Sequence, residues 1–403
     1  MIDVIDSGLT SEASRFSLYR QRQERLRTTM RSMDCEVLLI LDAINIQYAT
    51  GATNMSVFTT RTPARYLLLF ADGPAILFDY RGGEHLAQHL PTIDDVRCAQ
   101  GLCYVSTNGD VAGASRLMAA EIASSVREHT GRIDRLAVDR FPFAAVDALR
   151  REGFMLVDSD PVLDRARRVK LPIEIEYMRA AMAAVEDATR EFEQWVRPGV
   201  TEMEAWSHFH QPLIAQHGQY MVTRLMQAGR HTFPYFQECS DNVIRPGDLV
   251  CLDTDSIALE GYAVDFSRSF LAGDAPPSAD QRTLYGRALE QLQHNLSLIG
   301  PGVSFADAAH NAWPVPDEHR QSRYYTLGHG LGMSGEYPNV PFADDDTAPY
   351  PLDDGFEPGM VFCVESYVGS EAVGQGVKLE DQVLITETGV EVMSTFPFDL
   401  RLG

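Results

Sequence analysis

A chain of 403 residues is too long for one ordinary domain and comfortable for two, and 45% apolar with 23% charged residues is the profile of a globular protein. The formal charge of −23 repels phosphate backbones, and no basic stripe with interleaved aromatics offsets it locally, so nucleic acid is a poor partner. No stretch nears the ~18 consecutive apolar residues of a membrane span, and Met1 to Phe16 lacks a basic start and an apolar run, so a cytoplasmic protein that does not enter membranes is expected.

Glu36 to Leu41 and Arg65 to Phe70 predict strands, and Ala114 to His129 predicts an amphipathic helix, which makes the first part α/β. After Leu136-Ala-Val-Asp and a further αβ unit comes Asp164-Arg-Ala-Arg-Arg-Val-Lys-Leu-Pro, a charged stretch closed by proline. A helix is expected to follow over Glu174 to Trp195. The boundary is placed near Lys170, giving domains 1–168 and 169–403. In the second part Asp248 to Phe270 and Met360 to Thr386 predict two hairpins, with a helix from about Ser278 to Ile299 between them. Pro301-Gly302 and Pro358-Gly359 mark turns.

Cys35, Cys98, Cys103, Cys239, Cys251 and Cys363 lie scattered with no C-x-x-C pair, as in a reduced compartment. Lys170 and Lys378 are the only lysines in the chain.

The chemistry concentrates in the two hairpins. Leu249-Val-Cys-Leu-Asp253-Thr-Asp255-Ser leads through a turn to Tyr262-Ala-Val-Asp265. Alternation puts Asp253 and Asp255 on one face, and a hairpin centred on Leu259 sets Asp265 opposite Asp253. Carboxylates so opposed, with Cβ atoms about 4.5–5.5 Å apart, repel strongly unless a cation lies between them. Val361-Phe-Cys-Val-Glu365 and Val377-Lys-Leu-Glu380 repeat the logic on two apolar strands, and between the hairpins stands His329 in Thr326-Leu-Gly-His-Gly-Leu-Gly, whose glycines admit close neighbours. Four carboxylates and a histidine suit two divalent ions roughly 3.5–4 Å apart, with manganese, iron, cobalt and zinc all compatible. Lys378 shares a face with Glu380, where it neutralises the cluster or pairs with Asp381 at its rim. Each piece alone is ordinary; their joint order is not.

These residues resemble the M24 metallopeptidase superfamily of methionine aminopeptidases, prolidases, aminopeptidase P and creatinase. Its five ligands match Asp253, Asp265, His329, Glu365 and Glu380. Arg168-Val-Lys-Leu-Pro-Ile-Glu-Ile-Glu-Tyr-Met-Arg resembles the opening of its catalytic domain, and Asn45-Ile-Gln-Tyr-Ala-Thr-Gly its creatinase-type N-terminal domain. The resemblance implies a creatinase-like α/β domain followed by a pita-bread catalytic domain. It also implies a homodimer, in which Asn54 and Arg65 reach the partner's substrate.

The departures narrow the function. Where the peptidases carry two substrate-binding histidines, this chain has Phe236 and Glu336, which argues against ordinary proline-peptide cleavage. Asp253-Thr-Asp255, Phe236-Gln-Glu-Cys, Tyr324 and Lys378-Leu-Glu-Asp-Gln-Val resemble instead the DddP-type branch, lyases that split dimethylsulfoniopropionate. There the residue matching Asp255 is a further metal ligand. The branch's proton-abstracting aspartate falls at Gly335 here, and losing a general base typically costs about 10²–10⁴-fold. Glu336 and a metal-bound hydroxide are the candidate substitutes.

The expected enzyme binds a small carboxylate substrate, a sulfonium or betaine-like acid, at two divalent ions. The cationic end lies against Tyr235, Phe236 or Tyr324, Tyr324 donates a hydrogen bond, and Asp255 and Glu336 are further catalytic candidates. Creatinase-type or ectoine-hydrolase-type C–N hydrolysis, a dipeptidase with unusual contacts, and a binding protein that has lost catalysis are the alternatives.

Overall fold

The computed structural model describes residues 8–345 and 354–403; residues 1–7, at the start of the expected first domain, lie outside the described residues. The chain divides into two compact units, Thr10–Arg167 and Arg168–Gly403. Leu9 groups with the second, its carbonyl accepting from the Tyr177 hydroxyl at 2.7 Å.

Within Thr10–Arg167, six strands form one sheet: Val37–Ile40 (β1), Tyr66–Phe70 (β2), Ala75–Asp79 (β3), Asp95–Cys98 (β4), Arg135–Val138 (β5) and Met155–Asp158 (β6), in the order β4-β3-β2-β1-β5-β6. The sheet is mixed, because β1 to β3 are antiparallel neighbours while β4 joins β3, β5 joins β1 and β6 joins β5 in parallel. Helices Val111–Thr130 and Phe143–Arg151 bury Met118, Ile122, Val126 and Leu149 against Leu39, Leu68, Ile76 and Phe78. The first of these helices starts three residues earlier than the hydrophobic period predicts. The Asp110 carboxylate caps it by accepting from the Gly113 amide at 2.8 Å, and Gly131 ends it at φ 73°.

The second unit has strands Tyr220–Met221 (β7), Met226–Ala228 (β8), Leu249–Asp253 (β9), Ser256–Ile257 (β10), Ala263–Val264 (β11), Ser267–Leu271 (β12), Thr326–Leu331 (β13), Gly335–Pro341 (β14), Val361–Ser370 (β15), Gln375–Ile385 (β16) and Val390–Val392 (β17). The large sheet runs β14-β13-β15-β16-β12-β9-β8 with β17 beside β16, and β11-β10-β7 form a small one. The helix expected at Ser278 forms over Ala279–Leu298, started by a capping box between Ser278 and Gln281. The helix expected from Glu174 forms over Pro172–Glu193, with proline at its first turn.

Strand alternation then divides the large sheet into two unlike faces. Phe362, Val364, Val368, Val377, Leu379 and Val383 turn to Leu284, Ala288 and Leu292 of the Ala279–Leu298 helix. Each such side chain, buried fully, contributes about 1.5–3 kcal/mol. Cys363, Glu365, Lys378 and Glu380 are thereby committed to the other face. The apolar side anchors the sheet, and its polar side becomes a rigid platform.

Candidate metal centre

Cross-strand partners share a face, so the register of four strands writes out the site. Asp253 on β9 pairs with Ser267 on β12, Ser267 with Glu380 on β16, and Glu380 with Glu365 on β15. The adjacent row carries His329 on β13, Cys363 on β15 and Gln382 on β16. On the other side, Lys378 pairs with Tyr367. Chain segments more than a hundred residues apart thus deliver one acidic row flanked by an imidazole and an ammonium.

The first hairpin differs from its expected register. Asp253 opposes Ser267 rather than Asp265, because the turn Leu259–Gly261 is centred one residue later, on Glu260, which adopts the left-handed conformation at φ 54°. The pairs Asp253↔Ser267 and Ser256↔Val264 therefore bracket Asp255 and Asp265. Asp255 leaves the strand path at φ 31°, an unusual backbone for a residue with a Cβ. Carboxylate oxygens of Asp253, Asp255 and Asp265 nonetheless lie within 4.8 Å of one another. Thr223 Oγ1 donates to Asp255 Oδ2, and Ser267 Oγ lies 2.9 Å from Asp253 Oδ1 and 2.8 Å from Glu380 Oε2.

His329 completes the cluster. Its Nε2 lies 3.5 Å from Glu365 Oε1 and 3.6 Å from Asp265 Oδ2. Nδ1 lies 3.2 Å from the Gly330 carbonyl, an acceptor only, so Nδ1 carries a proton and Nε2 is turned to the carboxylates. The flanking glycines are required sterically. A Cβ at Gly328 would come within 2.2 Å of the Cys363 carbonyl, and one at Gly330 within 2.5 Å of the Tyr337 carbonyl.

Crowding of like charges perturbs the whole set. Burial, and then Asp253, push Asp255 up to about 7. Burial, and then Glu365, raise Glu380 to about 8. Burial with Glu380 and Asp255 holds Asp265 well above the carboxylate range. Burial disfavours the His329 cation, but Glu365 and Glu380 outweigh it and raise the imidazole to about 9. Asp253 goes the other way: burial raises it, yet Lys378 and the Tyr235 hydroxyl hold it below its ordinary value. Asp265 Oδ1 and Glu380 Oε1 are buried and accept no hydrogen bond among the described residues. An oxygen-rich donor set with buried, unsatisfied lone pairs fits divalent cations. One donor group comprises Asp265, His329, Cys363 and Glu380, and another Asp253, Asp255 and Asp265, with Asp265 common to both.

An aromatic wall stands over the cluster. The Tyr235 hydroxyl donates to Asp253 Oδ2 at 2.6 Å, and its ring lies 5.8 Å from Tyr324 and 4.8 Å from Phe236. Tyr324 lies 5.4 Å from Phe236, and burial with Glu365 raises its hydroxyl, so the phenol stays protonated. Phe236 is 55% exposed at φ 69°, an apolar ring held open to solvent.

Three expected roles are corrected. Glu336 is not available as a base: its Oε2 lies 2.8 Å from Lys170 Nζ, its Oε1 accepts from the Met333 amide, and both charged side chains are 2% exposed. Arg65 is not a free clamp, because its Nε and Nη2 bind both carboxylate oxygens of buried Asp79 at 3.1 and 3.0 Å within its own unit. The third guanidinium nitrogen, Nη1, donates to the backbone carbonyl of Asn54, which completes the partners of Arg65. Lys378 does not pair with Asp381, which binds Arg268 at 2.9 Å on the opposite face of the sheet. Gly335 begins β14, exposed, with open space where a Cβ would stand.

Ser267, Cys363, Gln382 and Thr223 were not among the expected site residues. The first three were within reach of the alternation argument, since they stand two positions from Asp265, Glu365 and Glu380. Thr223 meets Asp255 through the β7–β10 pairing, which two-residue strands do not announce.

Residues 176–387 match metallopeptidase family M24, and residues 22–169 match the creatinase/prolidase N-terminal domain. The chain is 34% identical to the dimethylsulfoniopropionate lyase DddP of Roseobacter denitrificans over 394 residues, 96% of this chain and 87% of that protein. It is also 34% identical to the protein of the same name from Roseovarius nubinhibens, over 386 residues, 94% of this chain and 86% of that one. Among solved structures, the Xaa-Pro dipeptidase from Bacillus anthracis shares the fold with a TM-score of 0.76 at 21% identity, covering 95% of this chain and 99% of that chain.

Proposed function

Because the chain belongs to metallopeptidase family M24, carries a creatinase/prolidase N-terminal domain and is a metal-dependent enzyme, we propose that it is a two-metal lyase of small sulfonium carboxylates, with dimethylsulfoniopropionate as the lead substrate. The observation that carries this reading is Asp255. A fifth carboxylate brought beside Asp253 and Asp265, under an aromatic wall, marks a site unlike an ordinary dipeptidase. Phe236 and Glu336, at the positions of the peptidase histidines, support the same direction.

Asp253, Asp255, Asp265, His329, Glu365 and Glu380 are the residues that would hold the ions. Two divalent ions held there would supply Lewis-acid charge that binds a substrate carboxylate and makes the neighbouring carbon more acidic. The rings of Tyr235, Phe236 and Tyr324 offer faces to the sulfonium, and the Tyr324 phenol stays protonated. Elimination takes the proton from the carbon next to the carboxylate. That C–H electron pair forms the double bond, and the C–S pair leaves on sulfur, giving dimethyl sulfide, acrylate and a protonated base. Gly335 has no acceptor and Glu336 is bound to Lys170; among the cluster's own side chains Asp255 is the candidate base.

The test is dimethyl sulfide release from dimethylsulfoniopropionate by purified protein whose metal content is measured on the same sample. Release above that of metal-stripped protein is expected. A protein holding two metals that releases none moves the assignment to C–N hydrolysis, the reading that Gly335 favours, with betaine, ectoine-type amide and dipeptide substrates to follow. Assembly as a cytoplasmic homodimer belongs to the same proposal, and a monomer by light scattering would remove it.

A further inference from the structure

Lys378 is no metal ligand, yet it is wholly buried in the centre of the site. Its ammonium lies 2.6 Å from Glu365 Oε2, 2.7 Å from Glu380 Oε2, 2.8 Å from Ser267 Oγ and 3.6 Å from Asp253 Oδ2. The rings of Tyr324 and Tyr235 close over it at 4.9 and 5.7 Å. Each glutamate gives one oxygen to the lysine and keeps the other for the cluster interior. Glu365 Oε1 faces His329 at 3.5 Å, and Glu380 Oε1 has no donor among the described residues. With one oxygen fixed, the direction of the other is fixed as well.

Charge gives the same answer. Four carboxylates balance two divalent ions, and Asp255 makes a fifth. A single resident cation restores the balance. Residue choice agrees: the chain has only two lysines, Lys170 and Lys378, so every exposed lysine-or-arginine position is arginine. A compact ammonium meets the three oxygens that converge on it within 2.8 Å.

We propose that Lys378 is a positioning residue, a resident cation that holds Glu365, Glu380 and Asp253 in their metal-binding arrangement before any metal is loaded and offsets the charge added by Asp255. The inference rests on the two-metal reading above. It predicts a specific rescue, because taking away one carboxylate repairs the loss of the lysine.

The experiment compares melting of wild type, K378M, D255N and D255N/K378M, metal-stripped and with Co2+. Metal-stripped K378M is expected to melt roughly 10 °C below wild type, the double variant above K378M, and Co2+ to raise K378M by more than it raises wild type. A double variant that melts at or below K378M, or an equal Co2+ shift in both, overturns the proposal. Should metal-stripped K378M be unfolded throughout, a folded double variant upholds it and an unfolded one sinks it. Co2+ uptake by wild type, read from its visible absorption, separates the two readings. No uptake refutes the metal centre, whereas two equivalents with no rescue refutes the role of Lys378 alone.

Discussion

Gly335→Asp offers the sharpest test of the lyase reading. Gly335 is exposed at the start of β14, opposite Leu331 and close in the chain to His329, and a Cβ there meets no heavy atom within 4 Å. Its φ is not in the left-handed region, so an aspartate fits without backbone strain. A surface change of this kind alters stability by roughly 0.5 kcal/mol at most. The neighbouring Glu336 stays bound to Lys170, so the new carboxylate meets no competitor for its place. A positioned general base is worth about 10²–10⁴-fold. Because Asp255 already stands as the candidate base, the variant should release dimethyl sulfide faster than wild type by up to about 10²-fold, with unchanged melting and metal content. Gas chromatography of sealed reactions on matched, metal-loaded samples measures it. A folded, metal-loaded variant whose release does not rise would mean that elimination in this pocket does not use a base at that position.

Asp265→Ala removes the carboxylate common to both donor groups; elemental analysis should find less than one bound metal, while the metal-stripped variant melts no lower than wild type because a raised, crowded carboxylate has gone. Lys170→Met strands buried Glu336, with an expected loss of about 3–5 kcal/mol in denaturant unfolding, and Glu336→Gln should be milder. Arg65→Ala strands Asp79 in the same way and should lower the stability of its unit by about 3–5 kcal/mol while leaving the Michaelis constant unchanged; a raised constant at normal stability would return Arg65 to the substrate. In metal-stripped protein Asp255 and Glu380 titrate near 7 and 8, above the roughly 3.9 and 4.3 of an unfolded chain. The folded state then binds more protons, so stability falls as pH rises across that window. The His329 contribution, complete below about 6.5 and lost through about 9, has the same sign. Melting of the metal-stripped protein should drop between about pH 4 and 9, and the metal-induced shift should grow.

Much of this site was legible in one dimension because strands encode faces. Glu365 and Glu380 could be placed opposite each other from apolar alternation and a glycine-rich loop, and the structure pairs them directly. The first hairpin failed by one residue at its turn. Nothing in Leu259-Glu-Gly announces that Glu260, rather than Leu259, takes the left-handed conformation at the centre, yet that choice alone decides whether Asp253 or Asp255 lies level with Asp265. The Arg65–Asp79 pair was open to the same reasoning. The Asp72-Gly73-Pro74 turn joins β2 to β3, Tyr66 pairs with Phe78, and the next pair outward is the salt bridge.

The destinations of the two lysines were not legible, for a different reason. Alternation showed that Lys378 shares a face with Glu380, but its partners depend on which strands flank β16. Those are β15 from the same hairpin and β12 from another, more than a hundred residues earlier. Lys170 meets Glu336 across 166 positions, joining the start of the unit to the first residues of β14. A buried ammonium needs a countercharge wherever topology puts it. In a chain whose other basic side chains are all arginine, buried or exposed, a lone lysine marks a place that suits a compact cation, even when the sequence does not say against what. That inference turns composition into a search for buried charge, and both lysines answer it.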